Sequence, residues 1–271
     1  MTTHPASYGL TQAAAATPHS LALEELARNG FTILAGALSP GQTAAMRDAL
    51  DAVLAAQTAR FGAERLVAIG DAGQARALLE EAPIFLDILR VAALEALVEA
   101  LLGPAALVMQ QNGIAMPPQG AAHHQQSWHR DLPYQSWVAS KPLALGALAV
   151  LDDFTAVSGA TFFLPGSQSQ PDFPSAAYAA RWAHQAITPA GSIVVFDAMC
   201  FHSGGVNRGH APRRAVNTLF GIPLLAQQIA FADRPGLDPN LRQRLGLDYA
   251  PKPGVDAWRE ARHRRLASQT A

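Results

Sequence analysis

Between residues 105 and 225 the chain is a succession of short apolar runs: ALVMQQNGIAM, PLALGALAVL, ATFFLP, SIVVF and AVNTLFGIPLL, separated by clusters of Gly, Pro, Ser and Asn. Such runs read as strands, because a strand crosses a sheet in about five residues whereas a helix needs several turns to bury a face. Many short strands at turn-separated spacing make a sandwich or barrel. The preceding hundred residues have another rhythm. SLALEELARNG (20–30) reads as a short helix with Ser20 as cap and Gly30 as stop, FTIL (31–34) as a strand, and SPGQTAAMRDALDAVLAAQTARF as a longer helix whose Met46, Leu50, Val53 and Leu54 recur at helical spacing. More helix is expected across 74–102, ending at Leu102-Gly103-Pro104. The fold class expected is therefore mainly β, with an N-terminal helical flank packed on one sheet as a support. Residues 1–19 read as a flexible lead-in and 20–271 as a single domain, with a β core at about 105–225 and a C-terminal loop and basic helix over 226–271.

Composition narrows the function classes. Net charge is -1 and only 15% of residues are charged, so nothing marks a nucleic-acid or anionic-membrane surface. A hydrophobic content of 49% is ample for a core. Cys200 is the single cysteine, which excludes an internal disulfide and a cysteine-rich metal site. The N-terminal text lacks a basic patch followed by an apolar run, and no stretch reaches the length of a membrane span. The expectation is a cytoplasmic protein, monomer or homodimer, whose partner is a small molecule.

Two segments could carry chemistry. In SWHRDLPYQ, His129 and Asp131 stand two apart in an extended segment, so imidazole and carboxylate face the same side. In FDAMCFHSGGVNRGHAPRRAVNTLF, His202 follows an apolar strand and precedes two glycines. Together they make a two-His, one-carboxylate set, which occupies one face of an octahedron and leaves three positions open, as oxygen chemistry at iron(II) requires. A 2-oxo acid would take two of those positions and dioxygen the third. The distal carboxylate of such a co-substrate needs a fixed cation, for which a guanidinium fork is suited. Arg213 and Arg214 both lie on the next strand, Arg213 in phase with Ala215 and Asn217, Arg214 with Val216 and Thr218. Alternation alone does not choose between them.

Taken in order, GFTILAGALSPGQTAAMRDAL, WHRD, SGATFFLPGSQ, GSIVVFDAMCFHSGGVN and PRRA resemble the phytanoyl-CoA dioxygenase family of iron(II)/2-oxoglutarate oxygenases, over roughly residues 21–225. The resemblance implies a double-stranded β-helix, or jelly roll, with His129, Asp131 and His202 as iron ligands. It selects Arg213, eleven residues beyond the distal histidine, as the 2-oxoglutarate anchor. Gln126 and Thr161 match family positions that contact the co-substrate, and Asn207 one that fixes the loop after His202.

The activity so implied is a dioxygenase that consumes O2 and 2-oxoglutarate, releases succinate and CO2, and hydroxylates an unactivated C–H bond of a small metabolite. Asp131 argues against halogenation, which needs the carboxylate absent. Rival readings are a cupin-like metalloenzyme that does not use 2-oxoglutarate and a non-catalytic jelly-roll binding protein. The chain departs from the family in having PGSQ rather than PGSH at 165–168, Arg130 between the first two ligands, and Leu148 where some members have tryptophan. Arg130 is expected to point away from the metal, toward the surface or an ion pair. Trp128, Tyr134, Trp137 and Phe163 are candidate pocket aromatics, His123 and His124 are expected in a solvated loop, and Cys200 is expected to be inert.

Overall fold

A computed structural model describes residues 17–133, 136–247 and 249–267. The helices are α1 (Pro18–Asn29), α2 (Pro40–Phe61), α3 (Ala63–Ala68), α4 (Leu78–Glu81), α5 (Leu86–Leu89), α6 (Ala92–Leu102), α7 (Ala176–Trp182), α8 (Pro239–Arg244) and α9 (Val255–Ala267). The strands are β1 (Phe31–Leu34), β2 (Gln74–Ala75), β3 (Leu107–Met116), β4 (Ala144–Val150), β5 (Phe162–Phe163), β6 (His184–Gln185), β7 (Ile193–Asp197), β8 (His202–Ser203) and β9 (Arg213–Gly221). They form two antiparallel sheets, one in the order β1-β7-β4-β9-β3-β2 and one in the order β6-β5-β8. This is a jelly roll with helices on the outer face of its larger sheet.

Strand alternation decides what each face meets. Leu145, Ala147, Ala149, Ile193, Val195, Val216 and Phe220 join Met46, Leu50 and Val53 of α2 in one buried cluster. Their neighbours Leu148, Val150, Val194, Phe196, Ile114 and Ala215 turn the other way and pack against Phe163, Ala160 and Cys200 of the smaller sheet and its turns. Two glycines make the close approaches possible. A Cβ on Gly113 would lie 2.1 Å from Leu50 Cδ1, and one on Gly146 would lie 2.1 Å from Phe196 Cζ.

The helix ends follow local chemistry. Ser39 caps α2 with Gln42 returning the bond, and Pro40 stands where no intrahelical N–H is needed. The first helix starts earlier than its sequence suggests: Thr17 is the cap, with Pro18 behind it, and Ser20 is the reciprocal partner in the capping box. The single helix expected over 74–102 is instead β2, α4, a 3-10 turn at Pro83–Phe85, α5 and α6. Ala77 is left-handed (φ 51), Pro83 lacks an N–H, and Val91 is extended, so three local breaks interrupt a helix-rich composition. Among the described residues no helix is long and apolar enough to cross a membrane.

Candidate metal centre

The smaller sheet brings the two motif segments together. His129 pairs antiparallel with His202 through both backbone bonds, His129 N–H to His202 O at 3.0 Å and His202 N–H to His129 O at 3.1 Å. Two residues on, the Asp131 N–H donates to Ala198 O at 2.9 Å, so both residues of the first motif stay tied to the strand region that delivers the second. As alternation requires, the side chains of His129 and Asp131 share a side. One ligand atom from each of His129, Asp131 and His202 lies within 4.8 Å of the others.

Hydrogen bonding settles which atoms converge. His129 Nδ1 lies 2.7 Å from Ser127 O and His202 Nδ1 3.0 Å from Cys200 O. A carbonyl can only accept, so each Nδ1 carries a proton and each neutral ring presents the Nε2 lone pair. Asp131 Oδ1 lies 3.3 Å from His202 Nε2 and 3.8 Å from His129 Nε2. The three groups are electrostatically coupled. Burial pushes the Asp131 carboxyl up, but the two imidazoles and the Asn217 amide outweigh it and hold the carboxyl below its usual range. Burial lowers His202, yet the facing carboxylate raises it overall, while His129, half-buried and next to His202, is lowered by desolvation first and by that neighbour second.

A cavity opens beside this cluster, lined by Ile114, Gln125, Leu148, Thr161, Phe196, His202, Gly204, Arg213, Ala215 and Asn217. The two adjacent arginines of β9 diverge as their alternation dictates. Arg214 donates to Asp51 at 2.7 Å and to Asp152 at 3.1 Å, which raises its pKa. Arg213 is buried at 4% exposure with its guanidinium 4.3 Å from the Phe154 ring centroid, and its Nε and Nη1 have no hydrogen-bond partner. Burial pushes it down to about 10. An uncompensated buried cation is costly, so its surroundings fit an anion.

Other sequence-flagged residues fall as follows. Thr161 and Leu148 line the cavity, and Asn207 donates to Met116 O and Ala211 O and accepts from Gly209 N–H, bracing the loop after His202. Gln126 does not line the cavity: its side chain accepts from His123 N–H and donates to Ala121 O, closing the 3-10 turn at His124–Gln126. The neighbouring Gln125 lines the cavity instead, on the same 3-10 turn. Of the two histidines expected in solvent, His124 is exposed and bonded to Gln74 and Gln125, whereas His123 is partly buried and lowered to about 4, chiefly by burial.

Arg130 does point away from the metal cluster, but into the protein rather than to the surface. It is 2% exposed, sits 4.0 Å from the Phe201 ring centroid, and donates to the carbonyls of Met199, Ser167, Gln170 and Pro171. Among the candidate aromatics, Phe163 is fully buried and packs 5.6 Å from the His202 ring, Trp128 is partly buried, and Trp137 is 59% exposed. Tyr134 lies outside the described residues. The Cys200 thiol is buried, donates to Leu164 O, and is pushed up to about 12 by burial, which makes it a poor nucleophile. Residues that the sequence did not single out, Gln125, Phe196 and Asn217, form much of the wall; only Asn217 had a readable signal, its phase with Arg213.

Comparisons with known proteins agree with this geometry. The chain is 29% identical over 208 residues to uncharacterized proteins of Mycobacterium tuberculosis and Mycobacterium bovis, covering 74% of this chain and 75% of each relative. Its fold resembles that of a solved non-heme monooxygenase, ThoJ in its apo form, with a TM-score of 0.59 and 20% identity over 76% of this chain and 79% of that one. The phytanoyl-CoA dioxygenase family model matches residues 26–215. With that match spanning both ligand-bearing segments, the chain belongs to the phytanoyl-CoA dioxygenase family, whose members are in general iron(II)- and 2-oxoglutarate-dependent oxygenases.

Proposed function

We propose that this protein is an iron(II)- and 2-oxoglutarate-dependent dioxygenase that hydroxylates an unactivated C–H bond of a small metabolite. The observation that carries the reading is Arg213, a buried guanidinium with two unpartnered nitrogens in the cavity that His202 also lines. His129, Asp131 and His202 would hold the metal through Nε2, Oδ1 and Nε2, a donor set of two imidazoles and one carboxylate suited to ferrous iron with open positions. Iron(II) held by these residues would supply the activation of dioxygen, with 2-oxoglutarate as the two-electron reductant, so that one oxygen atom would leave in succinate, alongside CO2, and the other in the product hydroxyl.

The chain's own part is positional. Arg213 binds the far carboxylate of 2-oxoglutarate with a fork that can donate twice. Thr161 and Gln125 stand in the cavity wall, where a hydroxyl and an amide can orient the co-substrate's oxygens. Ile114, Leu148 and Phe196 keep the cavity wall apolar, which excludes water and strengthens the charge pairing inside.

Anaerobic titration of the purified protein with ferrous iron, then 2-oxoglutarate, tests the proposal. Wild type is expected to bind one iron and to develop the metal-to-ligand charge-transfer absorption of a chelated 2-oxo acid, and to release succinate slowly in air. Arg213→Leu is expected to bind iron as wild type does and to lose the absorption at the same 2-oxoglutarate concentration. Iron binding with no response to 2-oxoglutarate in the wild type would overturn it.

A further inference from the structure

A further side chain, that of Asn217, hydrogen-bonds to one of the three candidate ligand residues. Asn217 lies on β9, four residues from Arg213 and on the same face, opposite Leu148 of β4 and Asn112 of β3. Its Nδ2 donates to Asp131 Oδ2 at 3.2 Å. The other carboxylate oxygen, Oδ1, is the one nearest both imidazole nitrogens, at 3.3 and 3.8 Å. The amide therefore takes the oxygen that the histidines leave. The orientation of the amide follows from geometry, since the atom within hydrogen-bond reach of the carboxylate oxygen is Nδ2, the donor end of the side chain. The far end of the same side chain is different. Asn217 Oδ1 is buried and has no partner, although Asn217 lines the cavity. An amide kept only for packing in a strand would have both ends satisfied or be replaced by an apolar residue, because an unpaired buried carbonyl is destabilising.

We propose that Asn217 is a positioning residue of the metal centre: it holds Asp131 Oδ2 so that Oδ1 alone is offered to the metal. The inference rests on the reading of His129, Asp131 and His202 as metal ligands. Its consequence is a coordination count. A carboxylate free to swing can bind through both oxygens and occupy a position that small molecules need, whereas one tethered through its second oxygen cannot. β9 thus supplies both halves of the arrangement: Arg213 at one end of the cavity, and at the other the amide that fixes the ligand.

The test uses cobalt(II) as the probe, because its visible absorption reports coordination number without turnover. Three variants are compared with wild type: Asn217→Leu, close in size but without a donor; Asn217→Ser, too short to reach Asp131; and Asn217→Asp, the same shape with a like charge. Expected are a loss of cobalt affinity of about 10–100-fold, the range for removing a ligand's outer partner, and a changed absorption intensity, with circular dichroism of the metal-free variants unchanged. A purely structural asparagine would alter the melting temperature but not the cobalt spectrum. Wild-type affinity and spectrum in every variant that folds would overturn the proposal while leaving the ligand assignment intact. Should Asp131→Ala also bind cobalt as wild type does, the ligand assignment fails, and this inference with it.

Discussion

In the larger sheet β3 and β9 pair over nine registered positions, whereas in the smaller sheet β5 and β8 pair over two. The larger sheet is packed on both sides, by α2 and its neighbours on one and by Phe163 and Cys200 on the other. The smaller one is extended by the His129 bridge and ends in turns, yet two of the three candidate ligands stand where it is shortest. Long regular pairing leaves no backbone free to adapt, so stability concentrates there. Short strands joined by turns let two histidines and an aspartate approach within a few ångströms at the edge of a rigid wall. The exception proves instructive: Arg213 and Asn217 come from the rigid sheet, and the parts that must discriminate geometry are the ones held by long register.

This division can be broken experimentally from either side. The largest effect is expected at the ligands: Asp131→Ala should lower ferrous affinity by more than the roughly 100-fold that loss of an outer partner can cost, measured by anaerobic titration of folded protein. Next is Arg130→Gln, which crosses the division. Although it sits between two ligands, its guanidinium holds the carbonyls of Met199, Ser167, Gln170 and Pro171, and stranding buried acceptors should lower stability by about 3 kcal/mol, read from denaturant midpoints. A substitution in the larger sheet should show the converse pattern. Gly113→Ala drives a methyl to 2.1 Å from Leu50 Cδ1; a cost of about 1–3 kcal/mol is expected, with metal affinity unchanged. Loss of metal binding without loss of fold in the glycine variant would erase the distinction.

Smaller effects sharpen the picture. Arg213→Leu removes an unpartnered buried cation and should stabilise the ligand-free protein by about 1 kcal/mol, while abolishing thermal stabilisation by 2-oxoglutarate. Asp197 provides a pH test. Burial raises its carboxyl to about 6 from an ordinary 3.8, against the opposing pull of the Met199 N–H and Arg130. The folded protein then binds this proton more tightly than the unfolded chain, so its contribution is fully present below about pH 4 and lost as pH rises through about 6. Asp197→Asn should flatten that fall in stability, as urea midpoints across the interval would register.

Much of the architecture is legible in the sequence, and the reasons differ by element. The runs of β4 and β7 are legible because they are apolar on two packed faces, and those of β3 and β9 because apolar residues flank their few polar ones. The pairing of His129 with Asp131 follows from strand period, whereas His202 joins them on ligand chemistry, as the member that completes a two-His, one-carboxylate set, and the family resemblance supports the same three residues. The segment 74–102 misled because alanine and leucine favour helices even where Ala77, Pro83 and Val91 interrupt them. Gln126 is suggested by a family position alone, and position does not say which of two adjacent amides a 3-10 turn aims at the cavity; there Gln126 closes the turn and Gln125 lines the wall. Arg130 kept the expected direction, yet a sequence does not reveal that the far side of a strand is covered by a loop 40 residues away.

Adjacent arginines in β9 carry a lesson about error tolerance. One meets carboxylates of α2 and of the turn after β4, the other an empty-handed position above Phe154. A slip of a single residue in that strand would exchange them, sending the acid-bound guanidinium inward and the unpartnered one outward, and would turn Asn217 away from Asp131 at the same stroke. Because β9 is clamped by β3 on one edge and β4 on the other, such a slip would have to break two ladders together, so the same backbone bonds that make the wall also guard the identity of its charges.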